Sequence, residues 1–389
     1  MKSTYRGSVR ILFSSLGSHG HMYPLLPLAT AAREQGHEVL YAVDQEFLGL
    51  ARKLGFTAVE AGMSIWQAFK QANSKHGTAE FERTMLRQTA VDAFGSLLPR
   101  KYAQDLAPVL EREKPDLVVF EIINPGAGIA AMQAGIPVVC HGFGRMDETL
   151  VPEAMRERLR EYLNELGIAL PDGHHYGLGS PYLDVFPPSL QDLGFLSDVQ
   201  RIPLRPIPFA EPGELPDWVS EHRRPLVYLT FGTAFAGIEL IRTAIAGLSH
   251  LDAEVLVATG PLVEASMVED VPANVHVLPW VPQADLLAHA DLAVHHGGAG
   301  TTVAAMAHGV PQLVLPQGAD QFRNAEIVEN ARLGAQLTGE QFTPDATYEL
   351  ARKLLQDNDV RVAVAKIAAE IAEMPHPDEV VPKLVELAG

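Results

Sequence analysis

The sequence is nearly free of cysteine: Cys140 is the only one in 389 residues. An intrachain disulfide is therefore excluded, and a reducing compartment fits. A basic surplus is missing too, since 48 acidic residues against 30 Lys and Arg leave a formal net charge of −18. Neither nucleic acid nor an anionic membrane surface attracts such a chain, so any phosphate ligand must be held by local dipoles. No apolar run reaches transmembrane length, and the polar start leads into residues 9–16 (VRILFSSL) without a signal-peptide apolar region and cleavage site. These absences predict a cytoplasmic protein that acts on small molecules, with no nucleic-acid or membrane partner. The phosphate loop GxxxxGK[ST] and the dinucleotide fingerprint GxGxxG are absent as well, which argues against kinases and dehydrogenases. The DxD match Asp357-Asn358-Asp359 falls between two predicted C-terminal helices, where Asp359 reads as an N-cap. The His19/His21 and His295/His296 pairs lack the cysteine or carboxylate spacing that specifies zinc, so no metal is expected.

What the sequence has is alternation. Residues 9–16, 37–43, 56–60, 116–120 and 137–140 read as short apolar strands, separated by stretches with helical spacing such as 22–35 and 45–54. Residues 64–112 predict several helices anchored by Trp66, Phe69, Phe81, Met85 and Phe94. Residues 141–200 lose the rhythm, with a charged helix at 152–167 and a Pro/Gly-rich loop at 171–188. Proline then becomes dense over 203–225, which predicts a linker at 206–224. Beyond it the alternation restarts, with strands at 226–230, 253–258, 275–278, 292–294 and 312–315 and helices at 238–248, 283–289, 301–308 and 321–330. Helices at 344–356, 360–372 and 378–387 close the chain, the last two separated by the break Met374-Pro375-His376-Pro377. The expectation is an α/β protein with two Rossmann-like βα domains, residues 1–205 and 225–374, whose parallel sheets face a central cleft. Residues 375–389 form a final helical segment.

The stretch at 294–321, VHHGGAGTTVAAMAHGVPQLVLPQGADQ, organises the second half. A strand stops at His295-His296, a Gly-Gly-Ala-Gly turn follows, and a helix of small residues begins at Thr301. Such a helix start leaves backbone N–H groups unpaired at its positive end, and the glycines let an anion approach. His296 and the Thr301 or Thr302 hydroxyl can add donors. Asp320-Gln321 follows the next strand and opens on the same carboxyl edge, as do Trp280, whose ring can stack on a base, and Gly232-Thr233.

WVPQ, HHGGAGTT and GVPQLVLPQGADQ, in this order and spacing, resemble the donor-binding signature of family 1 glycosyltransferases of the GT-B fold, in the variant of bacterial enzymes that decorate secondary metabolites. In the first half the resemblance rests on GSHGHMYPLLPLA. It implies that Trp280 stacks on a nucleotide base, with Val281 and Gln283 beside it. It also implies that His296, Gly298, Ala299, Gly300 and Thr301 hold a diphosphate, that Asp320 and Gln321 grip sugar hydroxyls, and that the last helix crosses back onto the N-terminal domain. Thr233 is a further donor-site candidate. His21, in the GHxxP pattern ending at Pro24, is the implied general base, while His19 points elsewhere if the loop is extended. Two positions depart from the pattern. Glu121 stands where the family usually has the aspartate that supports the base, and Ala304, eight residues after His296, stands where many relatives grip ribose with a glutamate. The second departure leans towards a dTDP-sugar over a UDP-sugar.

The resemblance thus implies an inverting, metal-independent transfer of a sugar, a deoxysugar by preference, from a nucleotide-diphosphate sugar that serves as co-substrate, with no further cofactor. The acceptor is a small apolar or aromatic natural product, held by a pocket that includes Trp66, Phe69, Phe94, His141 and Phe143. A monomer or homodimer is expected. A nucleotide-sugar epimerase or lipid glycosyltransferase of the same architecture is the alternative enzyme, and a non-catalytic auxiliary protein that retains a nucleotide site is the alternative of another class.

Overall fold

The computed structural model describes residues 7–76, 83–147, 151–170, 176–192, 194, 199–234 and 237–389, the side chains at 75, 76 and 83–86 excepted. Phe81 and the side chain of Met85, expected as apolar anchors, lie outside the described residues, as do the first five residues of the 171–188 loop. The chain divides into two compact units. One comprises Met1–Val185, Gln191–Leu204 and Pro375–Gly389, the other Phe186–Leu190 and Arg205–Met374.

The first unit holds seven strands: β1 (Arg10–Ser14), β2 (Glu38–Val43), β3 (Thr57–Glu60), β4 (Leu117–Glu121), β5 (Val138–His141), β6 (Tyr182–Asp184) and β7 (Arg201–Pro203). They form one sheet in the order β3-β2-β1-β4-β5-β6-β7, parallel throughout. Because crossover helices cover both faces of such a sheet, its central strands read as nearly unbroken apolar runs. Leu117, Val118, Val119 and Phe120 are all fully buried. The helix Leu98–Glu113 packs so closely on the helix Pro125–Gln133 that a Cβ on Gly126 would stand 2.2 Å from the Pro99 carbonyl oxygen. Residues 125–128 are the first turn of that second helix. Pro125 sits at its start, where the missing N–H costs nothing. The last helix, Pro377–Leu387, packs on Leu26–Glu34, and the Gln35 side chain donates to the Asp378 carbonyl at 2.8 Å.

The second unit holds β8 (Leu226–Thr230), β9 (Glu254–Ala258), β10 (Val275–Leu278), β11 (Leu292–His295), β12 (Gln312–Val314) and β13 (Gly334–Gln336). Their order is β10-β9-β8-β11-β12-β13, again all parallel. Alternation along β8 sorts its side chains to two cores. Val227 and Leu229 join Val255, Val257, Leu292 and Val294 on one face, and Leu226 and Tyr228 join Leu256, Ala258 and Ala293 on the other. The prolines of 206–224 do not form a free linker. That stretch belongs to the second unit, carries the short helix Trp218–Glu221, and lays Leu215, Trp218 and Val219 on the core that contains Tyr228.

Three strands, β6, β7 and β13, are absent from the sequence expectation. Each has three residues and contains a charged residue, a proline or a glycine rather than an apolar run, so only the neighbouring strand makes it a strand. One capping residue also differs. Asp357, not Asp359, caps the helix Asn358–Glu373, accepting the N–H groups of Asp359 and Val360 at 3.0 and 3.2 Å. No helix among the described residues is long and apolar enough to cross a membrane.

Gly126→Ala is expected to destabilise the first unit by about 1–3 kcal/mol, the usual cost of overpacking, because its Cβ meets rigid backbone. A urea titration followed by tyrosine fluorescence and circular dichroism checks this, and an unchanged midpoint refutes it.

Candidate functional site

In both sheets the strand order reverses beside the first strand of the unit: β1 sends its connection towards β2, and its other neighbour β4 sends its own towards β5. The same holds for β8 and β11 in the second unit. Loops leaving in opposite directions open a crevice at the carboxyl edge, where ligands bind in sheets of this kind. The residues able to do chemistry collect at these two places, one in each unit.

In the first unit the chain after β1 is not an extended loop. His19–Met22 forms one helical turn, Tyr23–Leu25 continues it as a tighter turn, and Leu26–Glu34 follows. Two residues apart on a helix are about 200° apart in direction, so His19 and His21 still diverge, though for a different reason from the one expected. His19 packs edge-on against Tyr23 and Phe47, each with ring centroids 5.1 Å away. His21 lies edge-on to Phe143 at 5.5 Å, and its Nδ1 is 3.1 Å from Oε2 of Glu121. Glu121 ends β4, is fully buried, and accepts the Ile123 N–H on Oε1 at 2.8 Å. A carboxylate at Nδ1 favours the tautomer protonated there and leaves Nε2 as the basic nitrogen. The extra methylene of glutamate therefore still reaches the imidazole.

Beside this pair, Asn124 donates to the Ser14 hydroxyl at 3.0 Å, an arrangement that the sequence reading missed. Its signal was faint: one asparagine ahead of Pro125. The expected acceptor-pocket residues are not of one kind. Phe69 and Phe94 stack edge-on at 5.7 Å and are half-buried against the core, whereas Trp66 is 72% exposed. His141 is fully buried, in register with Glu121 on the neighbouring strand, and burial lowers its pKa to about 4. It is a neutral interior residue in this structure, so it does not line an open pocket. Burial, and then the Glu121 charge, push the Cys140 thiol well up, which leaves it inert.

In the second unit the glycine turn is explained by what surrounds it. His295 is fully buried. Its Nδ1 accepts the Gly297 N–H at 3.0 Å, so the proton sits on Nε2 and points at Gln312 Oε1, 2.9 Å away. His296 is buried between two glycines: a Cβ on either Gly232 or Gly298 would stand 2.5 Å from its ring. Gly297 has φ +89°, and a Cβ there would meet Val314 and the Gln321 carbonyl. Burial lowers the His296 pKa to about 4, against a hydrogen bond with the Thr230 backbone that raises it. His296 is thus a neutral imidazole at ordinary pH.

The helix begins at Ala299, two residues ahead of the expected start, and runs to His308 with Gly298 as its N-cap and no side-chain cap. Space is open at Gly300, where a Cβ would meet nothing within 4 Å. Thr301 donates to Gln283 Oε1 at 3.2 Å, and Thr302 donates to the Gly298 carbonyl at 3.0 Å. The first N–H groups of this helix are a ready anion site.

Trp280, at the end of the β10 connection, is 42% exposed, and Val281 behind it is buried. Thr233 is half-buried in the turn after β8. Asp320 accepts the Asn324 side-chain amide at 2.8 Å, and the same nitrogen is 2.8 Å from the Gly297 carbonyl. Gln321 is buried, with Oε1 taking the N–H groups of Gln317 and Gly318 at 2.8 and 3.0 Å. Its oxygen therefore shapes the 316–320 turn, where Ala319 takes a left-handed φ of 52°. Ala304 is buried one turn into the helix. Among the described residues no cluster of three or more His, Cys, Asp or Glu is placed to hold a metal.

Comparison with known proteins identifies the family. Residues 30–232 match the N-terminal domain, and residues 242–387 the C-terminal domain, of the family described as erythromycin biosynthesis protein CIII-like. The L-demethylnoviosyl transferase of Streptomyces niveus is 32% identical over 95% of this chain and 96% of its own. Elloramycin glycosyltransferase ElmGT of Streptomyces olivaceus is 31% identical over 97% of each. Among solved structures, the glycosyltransferase SnogD from Streptomyces nogalater superposes with a TM-score of 0.78 at 26% identity, over 98% of this chain and 100% of that one. The glycosyltransferase SsfS6 of Streptomyces sp. SF2575, complexed with thymidine diphosphate, superposes with a TM-score of 0.79 at 26% identity, over 97% and 99%.

The buried histidines set an acid limit. His141, His295 and His296 have folded pKa values of about 4, 3 and 4, each below the unfolded value of 6.5. Between those values the unfolded chain binds more protons than the folded one, so stability is fully present above pH 6.5 and is lost as pH falls towards 4. The melting midpoint is expected to fall across that window, and less steeply in His295→Asn. Equal slopes for the two proteins would show that His295 is not a contributor.

Proposed function

Because the chain is a glycosyltransferase belonging to the erythromycin biosynthesis protein CIII-like family of bacterial secondary metabolism, we propose that it transfers a deoxysugar from a dTDP-sugar to a hydroxyl of a small apolar or aromatic natural product, with inversion and without a metal. The single observation that carries this reading is the His21–Glu121 pair at the carboxyl edge of β1 and β4, 3.1 Å apart. In the proposed reaction Nε2 of His21 takes the acceptor proton while the acceptor oxygen bonds to C1 of the sugar. The bond from C1 to the diphosphate oxygen breaks as that bond forms, and the configuration at C1 inverts. Glu121 holds the imidazole tautomer and offsets the imidazolium charge.

The leaving diphosphate is assigned to the open N–H groups at Ala299, Gly300 and Thr301, with His296 beside them and Trp280 stacked on the base. The helix end and hydrogen-bond donors thereby take the negative charge that develops on the leaving group. Asp320 and the Gln321 NH2 group are assigned to the sugar hydroxyls. The dTDP preference is supported by Ala304, which offers no acceptor to a ribose diol, and by the relatives' own donors: one is named as a TDP-daunosamine transferase, and two solved neighbours carry thymidine diphosphate.

Two experiments test the proposal. His21→Ala is expected to retain dTDP binding and lose about 10²–10⁴-fold in turnover, the range for removal of a general base, with Glu121→Gln intermediate. Undiminished transfer by His21→Ala removes it as the base. A panel of dTDP- and UDP-sugars is expected to raise the melting point most with dTDP-sugars, by mass action. Conversion of the sugar in the absence of any acceptor would instead favour an epimerase.

A further inference from the structure

The second unit contains a polar network that none of the proposed contacts uses. Tyr228 lies in the middle of β8, is almost wholly buried, and packs among Leu256, Val281, Ala293, Ala304 and Ala305. A buried phenol needs a partner for its hydroxyl. Here the hydroxyl donates to Oε1 of Gln283 at 3.3 Å. The same oxygen accepts the Thr301 hydroxyl at 3.2 Å, so both of its lone pairs are used. Two residues further along the strand, the Thr230 hydroxyl accepts the Gly232 N–H at 3.1 Å. Burial pushes the phenol pKa up, so it remains a donor at every working pH.

Apart from Tyr228 in mid-strand, these side chains stand at three different carboxyl-edge connections. Thr230 leads into the turn where Gly232 lies against the His296 ring, Gln283 ends the stretch that carries Trp280, and Thr301 stands in the first turn of the helix Ala299–His308. They follow β8, β10 and β11 respectively. We propose that Tyr228 is a positioning residue for the nucleotide, a buried hub that sets the base-stacking loop, the turn against His296 and the helix tip in register with one another. It touches no ligand itself. It orients the Gln283 carboxamide so that the oxygen faces inward and the NH2 group stays available, and it leaves the Thr301 hydroxyl serving protein rather than phosphate. The backbone N–H groups of the helix start, not that hydroxyl, then hold the diphosphate.

This rests on the nucleotide-site reading given above, and the test separates the two. dTDP is titrated calorimetrically into the wild-type protein, Tyr228→Phe, Thr301→Val, Thr301→Ser and the Tyr228→Phe/Thr301→Val double variant. Tyr228→Phe and Thr301→Val are each expected to weaken dTDP binding about 5–10-fold, the worth of one hydrogen bond, while Thr301→Ser binds as the wild type does. Because both groups act through one Gln283 oxygen, the double variant is expected to bind no more than about 10-fold weaker than the wild type, well short of the product of the two single effects. Wild-type affinity in Tyr228→Phe, or fully multiplicative losses in the double variant, would overturn the hub. If the Tyr228 variant melts far below the wild type, the Thr301→Val and Thr301→Ser pair decides alone, since rescue by serine is a property of the hydroxyl and not of packing. A wild-type protein that takes up neither dTDP nor UDP would overturn the nucleotide site, and the hub with it.

Discussion

Two adjacent parallel strands whose connections leave in opposite directions cannot close the sheet edge above them, and in this protein that geometric gap recurs once in each unit. Between β1 and β4 it gathers Ser14, His21, Glu121 and Asn124, and between β8 and β11 it gathers Thr230, Gly232, His296 and the start of the helix at Ala299. The His21–Glu121 pair and the glycine turn beside His296 both depend on these gaps. A side chain in mid-strand faces a packed core, and one on a helix flank faces water. Only at the reversal can a polar group be held rigidly by the sheet while keeping a direction free of backbone.

Polar groups in such places must be satisfied by protein or by a ligand, because an unpaired buried group is costly. The first unit solves this with charge, since the Glu121 carboxylate is shared between a backbone N–H and the His21 imidazole. The second unit solves it with neutral groups. His295 is satisfied from both ring nitrogens, the Gln283 oxygen takes two hydroxyls, and His296 is wedged between glycines in a form that burial keeps uncharged. An anion at the helix tip thus meets dipoles rather than full charges, which suits a chain whose overall charge is strongly negative.

Much of this was legible from residue order. HHGGAGTT announces a strand, a turn that needs glycine and a helix start, because each of those requirements is local: φ near +89° at Gly297, and no room for a Cβ at Gly298. The same locality made the helices 238–248, 321–330 and 344–356 readable to the residue, since periodicity and capping are properties of neighbours in sequence. The strands β6, β7 and β13 were not legible, because three residues carry no period and their only cause is the strand beside them. Trp66 and His141 show the same limit at single positions. Aromatic or imidazole character says that a side chain can line a pocket, but not whether the fold leaves it 72% exposed or fully buried.

Residue order alone determined the alternation of strands and helices, the family to which the signature points, and the presence of a histidine and a carboxylate able to work together. It did so because those facts are written in spacings of a few residues. Tertiary structure alone decided that Glu121 and His21, a hundred residues apart, meet at 3.1 Å, that the Thr301 hydroxyl turns towards Gln283, and that Tyr228 underlies three loops. Distances between remote residues depend on which strands become neighbours, and that is settled by the packing of whole sheets rather than by any segment within them.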